Sequence, residues 1–352
     1  MIDLDDEQAV RAGDPGGMLA NLAAFPEHCR EGDRLGRRAT PLPDVQDVRS
    51  IAFCGMGGSA VAGDVIRAMY ADRLPVPVVV VRTSELPEFC GPHSLVLASS
   101  YSGGTAEVLA CFEEAMKRGC RVIAIASGGE LGARAEELDL ARVSLPGGFM
   151  PRAALGYIAL GALGVLEAVG FLPPLEQDLQ EATGELDALA ATCGPSAPSA
   201  VNPAKRLGGQ IGDRTPVVWG GEGIGSVAAG RWKTQFNENA KVPAWASSLP
   251  ELDHNEVVGW SKGAGSRSFL VALRHEGEPA DVAARFAPSL DIARSAGAVV
   301  EEVWSSGGSA LSRFLTLSLL GDFTTSYVGI ARGIDPTPIE AIERVKRALA
   351  EA

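Results

Sequence analysis

Ser50-Ile51-Ala52-Phe53-Cys54-Gly55-Met56-Gly57-Gly58-Ser59 runs from an apolar stretch into a glycine-rich turn that opens a helical pattern. A second turn of the same kind, Ser99-Ser100-Tyr101-Ser102-Gly103-Gly104-Thr105, follows the apolar run Leu95 to Ala98. An apolar run that ends in glycines before a helix is the strand–turn–helix passage of an α/β sheet. Glycine lets the backbone come close to an anion, and the following helix points free N–H groups at it. The hydroxyls of Ser59, Ser100, Ser102 and Thr105 add donors. Together the two turns point to a pocket for one phosphate. Each turn alone also has a purely structural reading, because strand-to-helix turns carry glycine and an N-cap Ser or Thr for geometric reasons. Gly55, Gly57 and Ala60 further satisfy a dinucleotide spacing, and the run Val78 to Val81 ends at Arg82, which keeps an NADP-dependent oxidoreductase as an alternative. Against it, no acidic residue closes that second run, and the second turn is left without a task.

Outward from these turns, the apolar runs Ser50 to Phe53, Val76 to Val81, Leu95 to Ala98 and Val122 to Ala126 alternate with helical patterns. That order implies a parallel sheet covered by helices on both faces. The pattern pauses near Pro146. Ala153 to Leu172 is almost wholly apolar, with one charge at Glu167, and its length approaches a membrane span. Its many Ala and Gly residues and the lack of a basic flank predict instead a buried helix between two domains. Gly194 to Pro203, rich in Pro, Ser and Ala, reads as linker or loop. Strand-like Thr215 to Trp219 then leads into Gly220-Gly221-Glu222-Gly223-Ile224-Gly225-Ser226, an echo of the first turn, and a helix-compatible segment continues to about Lys241. Phe269 to Leu273 and Ala298 to Trp304 predict further strands, and Leu311 to Arg332 and Ile339 to Ala350 closing helices. The expected division is an N-terminal helical segment at 1–35, a first α/β domain at 36–165, a helical linker or loop at 166–205 and a second α/β domain at 206–352.

At 352 residues the chain has room for two such domains. A net charge of -13 argues against nucleic-acid binding, which needs clustered Lys and Arg. The six cysteines form no CxxC pair and have no companion histidines at zinc spacing, so they read as reduced packing residues. His28, His93 and His275 are isolated, and no metal site is expected. The acidic start of the chain lacks the basic and apolar regions of a signal peptide, which predicts a cytoplasmic protein with no membrane partner.

Four residues are candidates for chemistry. Glu238 closes a helical segment before Pro243, where the negative end of the helix dipole disfavours its charge by roughly 0.3–1 kcal/mol. That suits a proton-shuttling base, and a surface Glu paired with Lys241 or Lys233 is the plainer reading. His254 alone among the four histidines lies among acidic and amide side chains, in Glu251-Leu252-Asp253-His254-Asn255-Glu256. It suits acid–base work, or is a surface loop histidine. Arg152, after Pro151 at a predicted helix start, stabilises an oxyanion or reaches out to water. Lys346, in the last predicted helix, is by position a solvated residue.

In order along nearly the whole chain, these motifs resemble those of the bifunctional phosphoglucose/phosphomannose isomerases, which carry sugar-isomerase (SIS) domains. The resemblance rests on Gly55-Met56-Gly57-Gly58-Ser59, Ser100-Tyr101-Ser102-Gly103-Gly104-Thr105, Pro151-Arg152, Arg231-Trp232-Lys233 with Asn237-Glu238-Asn239-Ala240-Lys241, Pro250-Glu251-Leu252-Asp253-His254-Asn255-Glu256 and Asp335-Pro336-Thr337-Pro338. It implies two SIS-type, flavodoxin-like domains in each subunit of a homodimer. The implied reaction interconverts an aldose 6-phosphate and fructose 6-phosphate through a cis-enediol, without metal or nucleotide cofactor. A non-catalytic sugar-phosphate sensor on the same fold is the alternative. By the resemblance, Gly57, Gly58, Ser59, Ser100, Ser102 and Thr105 hold the phosphate of a hexose 6-phosphate, and Glu238 carries the proton between C1 and C2. Arg152 stabilises the enediolate, His254 of the other subunit opens the ring at an interface active site, and Lys346 assists near the ring oxygen. Where the family commonly has Asn, this chain has Gly104 and one side-chain donor fewer. Thr337 is the nearest candidate for the threonine associated with tolerance of both C2 epimers.

Overall fold

Each apolar run expected as a strand becomes one. In the computed structural model, which describes residues 2–261 and 263–350, the first half of the chain builds strands Ser50–Gly55 (β1), Val78–Val81 (β2), Ser94–Ser99 (β3), Arg121–Ala126 (β4) and Ala141–Ser144 (β5). They form one five-stranded parallel sheet in the order β2-β1-β3-β4-β5. Ile51 stands opposite Val78 on one side and Leu95 on the other, which fixes the central register. Every residue of β1 and β3 is buried, as a sheet covered on both faces requires. β5 escaped the sequence reading because Ala141-Arg142-Val143-Ser144 offers only alternate buried positions, as an edge strand does.

The helices Gly57–Tyr70, Ala106–Lys117 and Gly129–Glu137 follow β1, β3 and β4. Val108, Cys111, Phe112 and Ala115 of the second pack with Ala52, Cys54, Val96 and Ala98 of the sheet. The apolar stretch after Pro151 is a 3-10 turn, Pro151–Ala154, and a helix, Leu155–Ala168. It falls within the Ala24–Leu186 unit and packs on the Phe25–Arg37 and Gly57–Tyr70 helices. Its small residues explain the placement. A Cβ on Gly36 would come within 2.2 Å of the Gly161 carbonyl, and one on Gly164 within 2.7 Å of the Asp33 carbonyl, so the Phe25–Arg37 helix packs backbone to backbone against it. Glu167, its one charge, receives an Arg37 N–H at 2.7 Å.

Strands Thr215–Gly221 (β6), Trp245–Leu249 (β7), Ser268–Arg274 (β8) and Val299–Trp304 (β9) form a second parallel sheet in the order β7-β6-β8-β9. That order repeats β2-β1-β3-β4, so the glycine-rich turn after β6 echoes the turn after β1 in topology as well as in composition. Trp219, Leu249, Leu270, Ala272, Val282, Phe286 and Leu290 make its core. β7 was missed because Trp245-Ala246-Ser247-Ser248-Leu249 is a half-exposed edge strand with only its last residue buried.

By internal contacts the chain divides into two units. One holds Ala24–Leu186 and Gly307–Phe314; the other holds residues up to Ala23, Asp187–Ser306 and the chain from Leu315 on. The stretch expected as linker therefore contains the 18-residue helix Glu176–Cys193, and the division falls inside it, ahead of the Pro- and Ser-rich turns. The N-terminal helices Glu7–Ala12 and Met18–Ala23 belong with the second sheet, where the Ile2 N–H donates to the Ala331 carbonyl at 2.8 Å. Among the described residues one helix, Ala310–Ala331, is long and apolar enough to cross a membrane, and 94% of its most apolar window is buried within the protein, as in a core helix.

Candidate active site

In a parallel sheet of order 2-1-3-4-5 the strand order reverses between β1 and β3, and ligands bind outside the carboxyl ends of the strands there. Both glycine-rich turns leave the sheet at that point. Gly57 has φ +50°, and a Cβ on Gly58 would meet the Pro151 carbonyl at 3.1 Å and the Arg152 Cα at 3.2 Å. A side chain at position 58 would crowd the segment bearing Arg152, and glycine leaves the first turn room to lie this close to it. Met56, the N-cap, makes no side-chain cap, which leaves opening N–H groups of the Gly57–Tyr70 helix for an anion.

The second turn is shaped by its own hydroxyls. Ser100 Oγ and Thr105 Oγ1 are 2.7 Å apart, and the Gly104 N–H reaches Ser102 Oγ at 3.4 Å. The Tyr101 N–H donates to Ser59 Oγ at 3.3 Å and ties the two turns together. A third turn, Ser127-Gly128-Gly129, joins them from the end of β4. A Cβ on Gly103 (φ +72°) would be 1.9 Å from the Gly128 carbonyl oxygen, and one on Gly129 (φ +66°) would be 2.3 Å from that of Ser102. The sequence reading passed over this third turn, although Ser-Gly-Gly directly after the run Val122 to Ala126 carried the same signal as the other two.

Arg152 is buried, with 2% of its surface exposed, so it does not reach out to water. Just upstream, the Tyr101 hydroxyl donates to the Pro146 carbonyl at 2.8 Å and accepts the Phe149 N–H at 3.0 Å. The six expected phosphate residues and Arg152 are thus gathered at one end of one sheet, with Tyr101 linking them. Arg82, which an NADP phosphate would need, is engaged by the Asp64 carboxylate.

In the second unit, Glu238 is half-buried at the end of the Ile224–Glu238 helix. It lines a cavity of about 1060 Å³ together with Lys233, Asn237, Lys241, Asp335 and Ile339. The Lys241 ammonium donates to the Glu238 main-chain carbonyl at 2.5 Å and to the Pro336 carbonyl at 2.9 Å, capping the helix through its backbone. The helix is held from behind by residues that the sequence reading missed. Asp322 accepts from Arg231 at 2.5 Å and from Gln235 at 2.8 Å; the Trp232 indole N–H reaches the Leu317 carbonyl at 2.8 Å, and Asn239 donates to Thr325 at 3.0 Å. The available signal was Asp322 itself, the one charged residue between Arg313 and Arg332.

His254 is exposed on a 3-10 turn, Glu251–His254. The neighbouring acids and amide serve the loop. Asp253 pairs with Arg285 at 3.1 Å and accepts from Ser289 at 2.7 Å; Glu256 accepts from Trp219 at 2.8 Å and Trp260 at 3.2 Å; Asn255 donates to Glu251 at 2.8 Å. The turn is pinned and His254 is presented to solvent. Lys346 lies on the Glu340–Ala350 helix, exposed with its neighbours. Thr337 lies in the turn before that helix, its N–H bonded to Asp335 at 2.9 Å. All six cysteines are buried free thiols, and burial pushes the Cys90 thiol up to about 11.

Residues 200–349 match the model of a bacterial phospho-glucose isomerase C-terminal SIS domain. A bifunctional phosphoglucose/phosphomannose isomerase from Caldicellulosiruptor bescii is 32% identical over 336 residues, covering 95% of this chain and 99% of the relative. The enzyme of the same name from Aquifex aeolicus is 33% identical over 308 residues, covering 87% and 92%. A solved hypothetical protein from Thermus thermophilus has the same fold, with a TM-score of 0.73 at 19% identity over 98% of this chain and 94% of its own. With its glycine-rich turns at the switch point of one SIS-type sheet and a second parallel sheet of matching order, the chain belongs to the bifunctional phosphoglucose/phosphomannose isomerase family.

Proposed function

We propose that the chain interconverts glucose 6-phosphate and mannose 6-phosphate with fructose 6-phosphate through a cis-enediol, with Glu238 as the base. It is an aldose–ketose isomerase of sugar phosphates, as its family is. The N–H groups and hydroxyls around Gly57, Gly58, Ser59, Ser100, Ser102 and Thr105 take the phosphate. The Glu238 carboxylate removes the proton from C2 of the aldose and returns it to C1. Arg152 balances the negative charge that develops on the enediolate oxygens, a stabilisation strongest where water is excluded. C2 is planar in the enediol, so one intermediate serves both epimers. His254, donated by the partner subunit of a cytoplasmic homodimer, opens the sugar ring, and Lys346 assists at the ring oxygen.

The observation that carries this reading is the convergence of both hydroxyl-bearing turns and buried Arg152 at the β1/β3 switch point. The test is steady-state conversion of fructose 6-phosphate by chelator-treated protein, with both aldose phosphates quantified. Both products are expected, and Glu238→Gln should lower kcat by about 10²–10⁴ fold. Full activity in that variant removes Glu238 as the base. Calorimetric binding of glucose 6-phosphate by folded protein with no turnover makes the chain a sensor instead.

A further inference from the structure

We infer that Tyr101 is a positioning residue for the isomerisation, its phenol fixing the Pro146–Arg152 segment so that the Arg152 guanidinium meets the enediolate. This rests on the role proposed above for Arg152. Tyr101 is 5% exposed and does two separate jobs. Its main chain serves the phosphate turns: the N–H donates to Ser59 Oγ at 3.3 Å, and the carbonyl accepts from the Ser127 N–H at 2.9 Å and hydroxyl at 2.6 Å. Any residue but proline could make those bonds. Only the phenol reaches the other segment, donating to the Pro146 carbonyl at 2.8 Å and accepting the Phe149 N–H at 3.0 Å.

Arg152 follows Phe149 within a single turn, which the Ala153 N–H closes on the Met150 carbonyl at 2.8 Å. The far side of Phe149 is held by the His28 and Tyr157 rings, with centroids 5.0 and 5.4 Å away. Arg152 is therefore placed by a short turn whose anchor is the Tyr101 hydroxyl. Burial raises the phenol above its ordinary ionisation range, which keeps it a neutral donor at working pH. A displacement of about 1 Å at a charge-stabilising group costs on the order of 10²-fold in rate.

Tyr101→Phe keeps the ring and the main-chain bonds, so the phosphate turns survive it. The expected result is a kcat lower by roughly 10- to 100-fold with little change in KM for fructose 6-phosphate or in Tm. A purely structural role would move KM and Tm together and would overturn the inference, as would an unchanged kcat. In an Arg152→Gln background the same change should add little; an undiminished further loss also overturns it. Arg152→Gln alone with full kcat removes the role of Arg152, and the inference with it. A lowered kcat there beside an unaffected Tyr101→Phe removes only the inference. A second measurement is independent of how well the phenylalanine variant folds. With 3-fluorotyrosine at position 101, whose phenol ionises more readily, kcat should fall at a lower pH than in the unsubstituted enzyme as the donor to Pro146 is lost. An unshifted pH profile contradicts the inference.

Discussion

Two adjacent glycines in the second glycine-rich turn face opposite constraints. Gly103 sits at φ +72° with the Gly128 carbonyl where a Cβ would go, so Gly103→Ala meets both a left-handed backbone and a backbone clash. The strain alone costs about 1–3 kcal/mol. Because relief requires the second and third turns to separate, KM for fructose 6-phosphate should rise as Tm falls. Gly104 is exposed, outside the left-handed region, with open space around its Cβ position. Gly104→Asn removes freedom from the unfolded chain and should raise stability by about 0.4–1 kcal/mol, the size of a compatible glycine replacement. Under the proposed function it also supplies an amide donor beside the phosphate, so its KM should fall. Thermal melts and initial rates on the two variants check both signs, and a raised KM in Gly104→Asn would contradict a phosphate at this turn.

At the scale of elements, the placement of Glu238 depends on how its helix is bolted to the Ala310–Ala331 helix. Arg231 and Asp322 are 2% and 1% exposed and joined at 2.5 Å, with Gln235 on the second carboxylate oxygen. Asp322→Ala takes the carboxylate acceptor from two buried side chains, Arg231 and Gln235, and should destabilise the protein by about 3–5 kcal/mol in urea unfolding. A loss below about 1 kcal/mol would mean water reaches Arg231. The same pairing shows what a sequence can and cannot display. The runs Ser50 to Phe53 and Leu95 to Ala98 announced themselves because a strand covered on both faces is apolar along most of its length. The edge strands β5 and β7 did not, since half of each faces out. The turns around Gly57 and Gly103 were legible because close backbone approach demands glycine. Asp322 and Tyr101 were not singled out, because their roles rest on partners distant in the chain; Gly129 was passed over although its Ser-Gly-Gly turn carried the same signal as the other two. The stretch Ala153 to Leu172, read as a helix between two domains, shows the same limit: an apolar helix does not name the helix it packs on, and Gly36 and Gly164 do so only once their partners are seen.

At the scale of the whole molecule, the exposed candidates need an explanation that one chain does not supply. His254 is presented to solvent on a turn anchored by Asp253 and Glu256, and Lys346 projects from a helix exposed throughout its described side chains. On that helix Ile342, Val345 and Leu349 are also exposed, an apolar row at helical spacing. Under the proposed homodimer, His254 serves the partner's sugar, which makes a sharp prediction about mixtures. Glu238→Gln and His254→Ala homodimers should each be nearly inactive. If subunits exchange at random, about half of the dimers pair one of each, and in a closed two-fold dimer each such pair holds one intact site, with Glu238 from one chain and His254 from the other. Mixing the two inactive proteins should therefore restore about a quarter of the unmodified activity on a time course set by subunit exchange. If His254 served its own chain, every site in every mixed dimer would keep one lesion. The mixture would then stay as inactive as its components while sedimentation showed that exchange had occurred.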